Sequence, residues 1–134
     1  MTAHRWAALA ALALAGCGAR APDLFVVQRT GTVPGARLDL RVSDQGTVSC
    51  NRAVPRRLPD EQVLRARELA RGLEATIERG RQPARGRGGV LSYRVTMARG
   101  TLSFDDTSPG LAPAVAALQG FTRTVARRVC GLRR

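Results

Sequence analysis

Two stretches of the chain alternate between apolar and polar residues with a period of two. This pattern is typical of an antiparallel strand with one buried and one exposed face. The first stretch is 36–42 and the second is 90–97. A weaker repeat of the same pattern follows the second at Leu102 and Phe104. The polar side chains predicted to face outward from this sheet are Arg37, Asp39, Arg41, Ser92, Arg94, Thr96 and Ser103.

Two further strands are predicted from short apolar runs next to turn residues. Leu24 to Arg29 is apolar and β-branched, and the glycine- and proline-bearing run 30–35 follows it as a turn. A second turn at 43–46 leads into Thr47 to Cys50. Residues 51–58 and 81–89 lack either period and are predicted to be loops, the second a mobile connector.

Two segments have helical spacing instead. Pro59 suits a first helical turn and Gly80 suits a helix end. The apolar stripe between them consists of Val63, Ala66, Leu69 or Ala70, Leu73 and Ile77. The stripe of the second helix consists of Val115, Leu118, Phe121, Val125 and Val129. The sequence therefore predicts one α+β domain of order β-β-β-α-β-β-α, with an antiparallel sheet of four to five strands and both helices on one face. A membrane-lying first helix is the alternative.

The N-terminal segment has the features of an export signal. His4 and Arg5 precede an apolar run from Trp6 to Ala15, which is shorter than the roughly 20 residues that span a bilayer. The end of this run, Leu14-Ala15-Gly16-Cys17, resembles the lipobox of bacterial lipoproteins. The alternatives are an ordinary signal peptide with an incidental cysteine, or a buried amphipathic helix.

The lipobox resemblance implies a division of the chain and a location. Residues 1–16 would be removed, and Cys17 would carry the acyl chains, palmitate among them, on a short tether that ends at residue 23. Residues 24–134 would form the single domain. The protein is then expected at the cell membrane, lipid-anchored on its extracytoplasmic face. The whole chain is also similar to small lipoproteins of GC-rich bacteria, and that likeness implies location only.

The charge of the chain is strongly positive, at +12, and every one of its 22 basic residues is arginine. The absence of lysine is interpreted first as a result of the codon usage of a GC-rich genome. No aromatic residues are interleaved with the arginines, and an exported protein rarely meets nucleic acid, so no nucleic-acid partner is expected. Anionic lipid headgroups or acidic envelope polymers are the expected neighbours, and the basic surface is interpreted as background compatible with a membrane, not as a binding motif.

The cysteines allow a simple pairing argument. With Cys17 lipidated, Cys50 and Cys130 remain, and an oxidising compartment favours a disulfide between them. Two free buried thiols are the alternative. A metal site is not expected, because two cysteines without histidine offer too few soft ligands for zinc.

The residue types argue against an enzyme. The only histidine, His4, lies in the signal segment, and lysine is absent, so the usual general bases and Schiff-base nucleophiles are missing from the domain. Asp105 and Asp106 are adjacent and are expected to point to opposite sides, which makes a poor acid–base pair. Neither a cofactor nor a catalytic residue is predicted.

A second resemblance concerns the domain itself. The run from Val27 to Arg37, the segment Leu58-Pro59-Asp60-Glu61 and the stretch from Leu91 to Asp106 are similar to emfourin-type inhibitors of thermolysin-like metalloproteases. The resemblance implies inhibition of an extracellular metalloprotease. The broader prediction is a non-catalytic module that binds an unknown protein at the cell envelope, and a basic scaffold resting on anionic lipid is a further alternative. The candidate partner-binding residues are Arg29, Thr30, Gly31, Pro34, Gly35, Arg37, Arg41 and Arg94.

Overall fold

The computed structural model describes residues 23–133, and the predicted signal segment and Cys17 lie outside them. Within this range the chain forms an α+β fold with a six-stranded antiparallel sheet and two helices, which confirms the predicted fold class. The strands are β1 (Asp23–Gly31), β2 (Leu38–Ser43), β3 (Thr47–Cys50), β4 (Arg56–Arg57), β5 (Leu91–Met97) and β6 (Gly100–Asp105). The helices are α1 (Asp60–Glu78) and α2 (Pro113–Arg128).

The sheet has the spatial order β4-β3-β2-β1-β5-β6, so β1 lies near its centre and pairs with both β2 and β5. The two-residue strand β4 lies in the segment predicted to be a loop, and it brings the strand number above the predicted four to five. Its pairing with β3 is made by the backbone, so the polar sequence Arg56-Arg57 gives no periodic signal for it.

One face of the sheet carries the core. Alternate residues of β1, β2, β5 and β6 are buried there, as the period-two pattern predicts. Phe25 of β1 meets Phe121 of α2 edge to face, with ring centroids 5.8 Å apart. The buried hydrophobic residues of the described range lie between Phe25 and Ala126, so a chain that begins at Gly18 keeps all of them.

The two helices pack closely against each other over this face. A side chain at Gly72 of α1 would place its Cβ only 2.5 Å from Cβ of Ala114 in α2, so the crossing point requires glycine. The residues of α1 that are buried are Ala66, Leu69, Ala70 and Leu73, while Val63 and Ile77 at the ends of the predicted stripe are half-buried.

The free edge of β6 is covered by the side chain of Gln82 from the loop 81–89. Its Nε2 donates to the carbonyl oxygen of Thr101 at 2.8 Å, and its Oε1 accepts from the amide of Ser103 at 3.2 Å. These bonds satisfy backbone groups that an edge strand would otherwise offer to another chain. The same loop is tied to the end of β6, because the amide of Gly86 donates to Asp105 at 3.3 Å. It is therefore an anchored segment and not only a connector.

The opposite side of the molecule is closed by Cys50 and Cys130. Cys50 ends β3, and Cys130 follows α2 by two residues. Their sulfur atoms lie at bonding distance and their Cα atoms are 6.1 Å apart, within the usual range for a disulfide. A bond here would close a loop across 80 residues of sequence.

We expect this disulfide to contribute about 4.5 kcal/mol to the free energy of unfolding by the chain-entropy estimate for a loop of this length. The double variant Cys50→Ala, Cys130→Ala should unfold at correspondingly lower denaturant concentration. The mass of the untreated protein should be lower by two hydrogens than that of the reduced protein. Labelling of both thiols in the native, unreduced protein would contradict the pairing.

Candidate functional site

The β1–β2 connection is a tight, well-bonded turn. The amide of Ala36 donates to the carbonyl oxygen of Val33 at 3.1 Å, which closes a four-residue turn. Pro34 fills the second position and Gly35, with φ of 75°, fills the third, as a type II turn requires. The amide of Thr32 donates to the carbonyl oxygen of Val90 at 3.1 Å, so the turn is also fixed to the segment that precedes β5.

The side chain of Arg29 supports this turn from inside the protein. Arg29 continues the inward alternation of β1 and is only 2% exposed. Its Nε donates to the carbonyl oxygen of Ala36 at 2.8 Å, and its Nη2 donates to that of Gly35 at 3.2 Å. No carboxylate within residues 23–133 lies at salt-bridge distance from it. A buried cation is costly without such a partner, so the two carbonyl dipoles are its compensation, and the turn depends on it.

Tyr93 is the neighbour of Arg29 on β5, in register with it across the sheet. Its ring stacks on Phe104 with centroids 4.9 Å apart and an interplanar angle of 4°. Burial raises the pKa of Tyr93 above its usual range, while the charge of Arg29 and a hydrogen bond from it partly offset that rise. Arg29 therefore links the turn to the aromatic pair of the core.

The other face of the sheet is free of helices and mostly polar. Its central row runs across four strands as Asp39, Gln28, Arg94 and Ser103. The next row toward the turn runs as Thr30, Ser92 and Asp105. An open cleft of about 580 Å³ lies over these rows and is bounded at the β6 edge by Gln82, Pro83 and Arg85.

A second cleft, of about 490 Å³, lies on the β2 side of the same β1 residues. Gln28 and Thr30 line both clefts, and Arg37 and Arg52 line only the second. Asn51 and Arg52 both have positive φ, 52° and 63°, and the amide of Ala53 donates to the carbonyl oxygen of Cys50 at 3.0 Å. A left-handed arginine is uncommon and costs roughly 1–2 kcal/mol. This strained conformation places the guanidinium group of Arg52 at the wall of the second cleft.

The eight predicted partner-binding residues divide into three groups. Six of them are exposed on the turn or on the adjoining strands: Thr30, Gly31, Pro34, Gly35, Arg37 and Arg94. Arg41 is half-buried and is held by Asp23 at 3.4 Å and by Asp39 at 3.9 Å. Arg29 does not share their surface, because it is buried beneath the turn.

Sequence reasoning missed three contributors to this surface: Gln82, Asn51 and Arg52. Gln82 lies in a glycine- and arginine-rich loop without a periodic pattern, so its role is seen only from its contacts with the free edge of β6. The Asn-Arg pair at 51–52 does carry a signal, since asparagine favours positive φ in two-residue turns. This signal was missed because Arg52 occupies the second turn position, which usually holds glycine.

The two adjacent aspartates at the end of β6 have structural contacts. Asp105 accepts a hydrogen bond from the hydroxyl of Ser92 at 2.8 Å, besides that from Gly86. Asp106 accepts from the amide of Val90 at 3.1 Å. These carboxylates therefore fix the junctions around β5 and β6, next to the point where Thr32 is held.

The chain was compared with known protein families, curated proteins and solved structures, and none of them matches it. Among residues 23–133, no group of three histidine, cysteine, aspartate or glutamate side chains could hold a metal ion. Neither helix of the described part is long and apolar enough to cross a membrane. The function proposed below is therefore inferred from the geometry and charge of the site.

The titration of Tyr93 tests the environment of Arg29. Tyr93 is the only tyrosine, so the ultraviolet absorbance of its phenolate reports on this one group. We expect a pKa above the usual value of about 10, and a still higher one in Arg29→Met, because the two contributions of Arg29 that lower it disappear while that of Arg123 remains. The stability contributed by the neutral phenol should be complete below the unfolded-state pKa and be lost as pH rises through the folded-state pKa.

The control for this titration is Arg94→Met. Arg94 neighbours Tyr93 in sequence but lies on the exposed face, so its removal should leave the phenol titration unchanged. Equal titration curves for the wild type and Arg29→Met would contradict the placement of the guanidinium beside the phenol.

Proposed function

We propose that this protein is a lipid-anchored, extracytoplasmic, non-catalytic module that binds a protein partner at the cell envelope. The proposed binding surface comprises the β1–β2 turn (residues 30–37) and the adjoining outer face of β1 and β5. The observation that carries the proposal is the support of the exposed turn by the buried Arg29.

Rigidity is the property of the turn that suits binding. Ordering a flexible loop on association costs free energy, and a loop that is already ordered avoids most of that cost. The turn is held at three points: the Ala36–Val33 bond, the Thr32–Val90 bond and the two bonds from Arg29. Its exposed residues are therefore presented in a fixed geometry.

The charges of the surface favour a partner with exposed carboxylates. Arg94 and Arg37 are exposed, and within residues 23–133 no carboxylate lies within salt-bridge distance of either. Arginine is enriched at protein interfaces, where its planar group pairs with carboxylates in bidentate geometry. The polar rows that surround Arg94 supply hydrogen-bonding groups at the rim of such an interface.

The direction of β1 agrees with an anchor at the start of the domain. β1 leads from Asp23 to Gly31, which is roughly 26 Å at the usual rise per residue. A tether from Cys17 to Asp23 reaches at most about 20 Å. The turn then lies at the end of β1 that is farther from the lipid, where a partner in the envelope has access to it.

The test of the proposal is site-specific photo-cross-linking in the full chain expressed in its cellular envelope. A photoreactive residue at Thr32 and another at Arg94 should each give one protein adduct of the same mass, and one at Arg71 on α1 should not. Gly35→Ala should abolish both adducts, because alanine disfavours the positive φ of the turn. The Cys17→Ser variant should be released from the membrane fraction at high salt, which the lipidated wild type should resist.

The matched control for the turn is Gly80→Ala. Gly80 has φ of 68° and nothing close to its added Cβ, so this change costs similar strain at the end of α1, away from the turn. Adducts that persist in Gly35→Ala, or that form equally from Arg71, would overturn the proposed surface.

A second candidate function is inhibition of a thermolysin-type metalloprotease, as in emfourin-type proteins. The observation that favours it is the same exposed and supported Pro34-Gly35 turn, since rigid exposed segments are suited to a protease surface. We expect stoichiometric inhibition when the oxidised chain from Gly18 is titrated against such a protease with a peptide substrate. Gly35→Ala should weaken inhibition at least tenfold, for about 1.4 kcal/mol of strain, and Gly80→Ala should not. Absence of inhibition by an intact, uncleaved domain would remove this candidate.

A further inference from the structure

A cluster of arginines lies at the β4 side of the molecule, outside the proposed binding surface, and only Arg56 among them makes a side-chain hydrogen bond within residues 23–133. It comes from two segments distant in sequence, 54–57 and 127–133. We name it the basic edge, and it consists of Val54, Arg56, Arg57, Arg127, Arg128 and Arg133.

Two contacts bring these segments together. Nη1 of Arg56 donates to the carbonyl oxygen of Val129 at 3.1 Å. Cys50 and Cys130 lie at disulfide distance beside it, with Cα atoms 6.1 Å apart. The arginines at the end of α2 and just after it therefore lie close to those of β4.

The positive charge of the basic edge is not balanced locally. All ten acidic residues of the chain lie between Asp23 and Asp106, and none falls in 45–59 or after 106. The salt bridges found among residues 23–133 involve only Arg41 and Arg99. Five guanidinium groups on one edge, none of them within salt-bridge distance of a carboxylate in residues 23–133, are complementary to an anionic surface.

The edge also carries an exposed apolar tip. Val54 is 83% exposed and is followed by Pro55, directly before the two arginines of β4. An apolar side chain flanked by arginines is the combination that binds the interface of an anionic membrane, where the apolar group enters the headgroup region and the cations stay at its surface. The edge segments contain no aromatic residue for stacking on nucleic-acid bases.

The basic edge lies near the start of the domain, which agrees with contact between this edge and the anionic membrane. Asp23 and Pro55 line one small cleft of about 180 Å³. Arg56 is aligned through β3 and β2 with Phe25 of β1, three strands or roughly 15 Å away. A tether of at most about 20 Å thus keeps the basic edge close to the lipid.

We propose that the basic edge docks on anionic lipid headgroups of the membrane that carries the anchor, with Val54 inserted among them. This inference rests on the envelope location in the proposed function and adds an orientation to it. With the basic edge against the membrane, the turn at the far end of β1 points away from the bilayer.

The first test places a fluorescent reporter at the tip. The only tryptophan, Trp6, precedes Gly18, so Val54→Trp in the chain from Gly18 is the sole tryptophan of that protein. Its emission should shift to the blue with vesicles rich in phosphatidylglycerol, but not with phosphatidylcholine vesicles, and high salt should reverse the shift.

The matched control for the reporter is Leu64→Trp. Leu64 is 67% exposed on α1 and lies one helical turn from Glu61 and from Glu68. Its emission should not shift under the same conditions. Vesicle binding without a shift at Val54→Trp, or with equal shifts at both positions, would overturn the proposed orientation.

The second test compares two opposite edges of the sheet. The triple variant Arg57→Gln, Arg127→Gln, Arg128→Gln should lower affinity for the phosphatidylglycerol vesicles on the order of 100-fold. Arg81→Gln, Arg85→Gln, Arg87→Gln removes the same charge beside β6 and should leave most of the binding. Circular dichroism checks that both variants are folded.

Equal losses in the two triple variants would mean diffuse attraction and would overturn the proposal. Soluble polyglutamate that binds as tightly as the vesicles, without a shift at Val54→Trp, would assign the edge to an acidic polymer instead. Both tests use a chain without Cys17, so a negative result would overturn only the membrane docking of the basic edge. Lipidation and protein binding are tested separately, by the cross-linking experiment.

Discussion

A guanidinium group buried without a carboxylate partner determines how one end of this protein is built. Arg29 is placed inward by the alternation of β1, and its charge must be compensated where it lies. The carbonyl groups of Gly35 and Ala36 provide that compensation only while the β1–β2 turn is closed over them. The turn and the buried cation therefore stabilise each other, which explains why an exposed connection is so well ordered.

The two ends of the sheet have different roles in the proposed function. The end of β1 at Gly31 presents the hydrogen-bonded turn and the polar rows, which are proposed to meet a partner. The end at Asp23 lies beside the cleft shared with Pro55, near the arginines of the basic edge and the exposed Val54. The proposed lipid-anchored module would use both: one surface that meets the membrane and another directed away from it.

The parts of the fold that depend on local pattern were predictable from sequence. The alternation in β2 and β5 gave the correct faces because each strand buries only one of them, and the helical stripes identified the sides of α1 and α2 that pack. Strand β4 was not predictable, because the backbone makes its pairing with β3 and its two residues are both polar. The Gln82 contact was not predictable either, because it joins a loop side chain to the backbone of β6. The burial of Arg29 shows a different limit: the sequence assigned this residue to a strand without a face, and because arginine is usually exposed it was predicted to be a binding residue.

The most direct measurement of the central claim is amide hydrogen exchange in the wild type and in Arg29→Met. Our account predicts that the amides of Ala36 and Thr32, which close the turn, lose protection in the variant. The amides that pair β2 with β3 should keep theirs, because that pairing does not depend on Arg29. Unchanged protection at Ala36 and Thr32 would show that the turn closes without the guanidinium and would contradict the account.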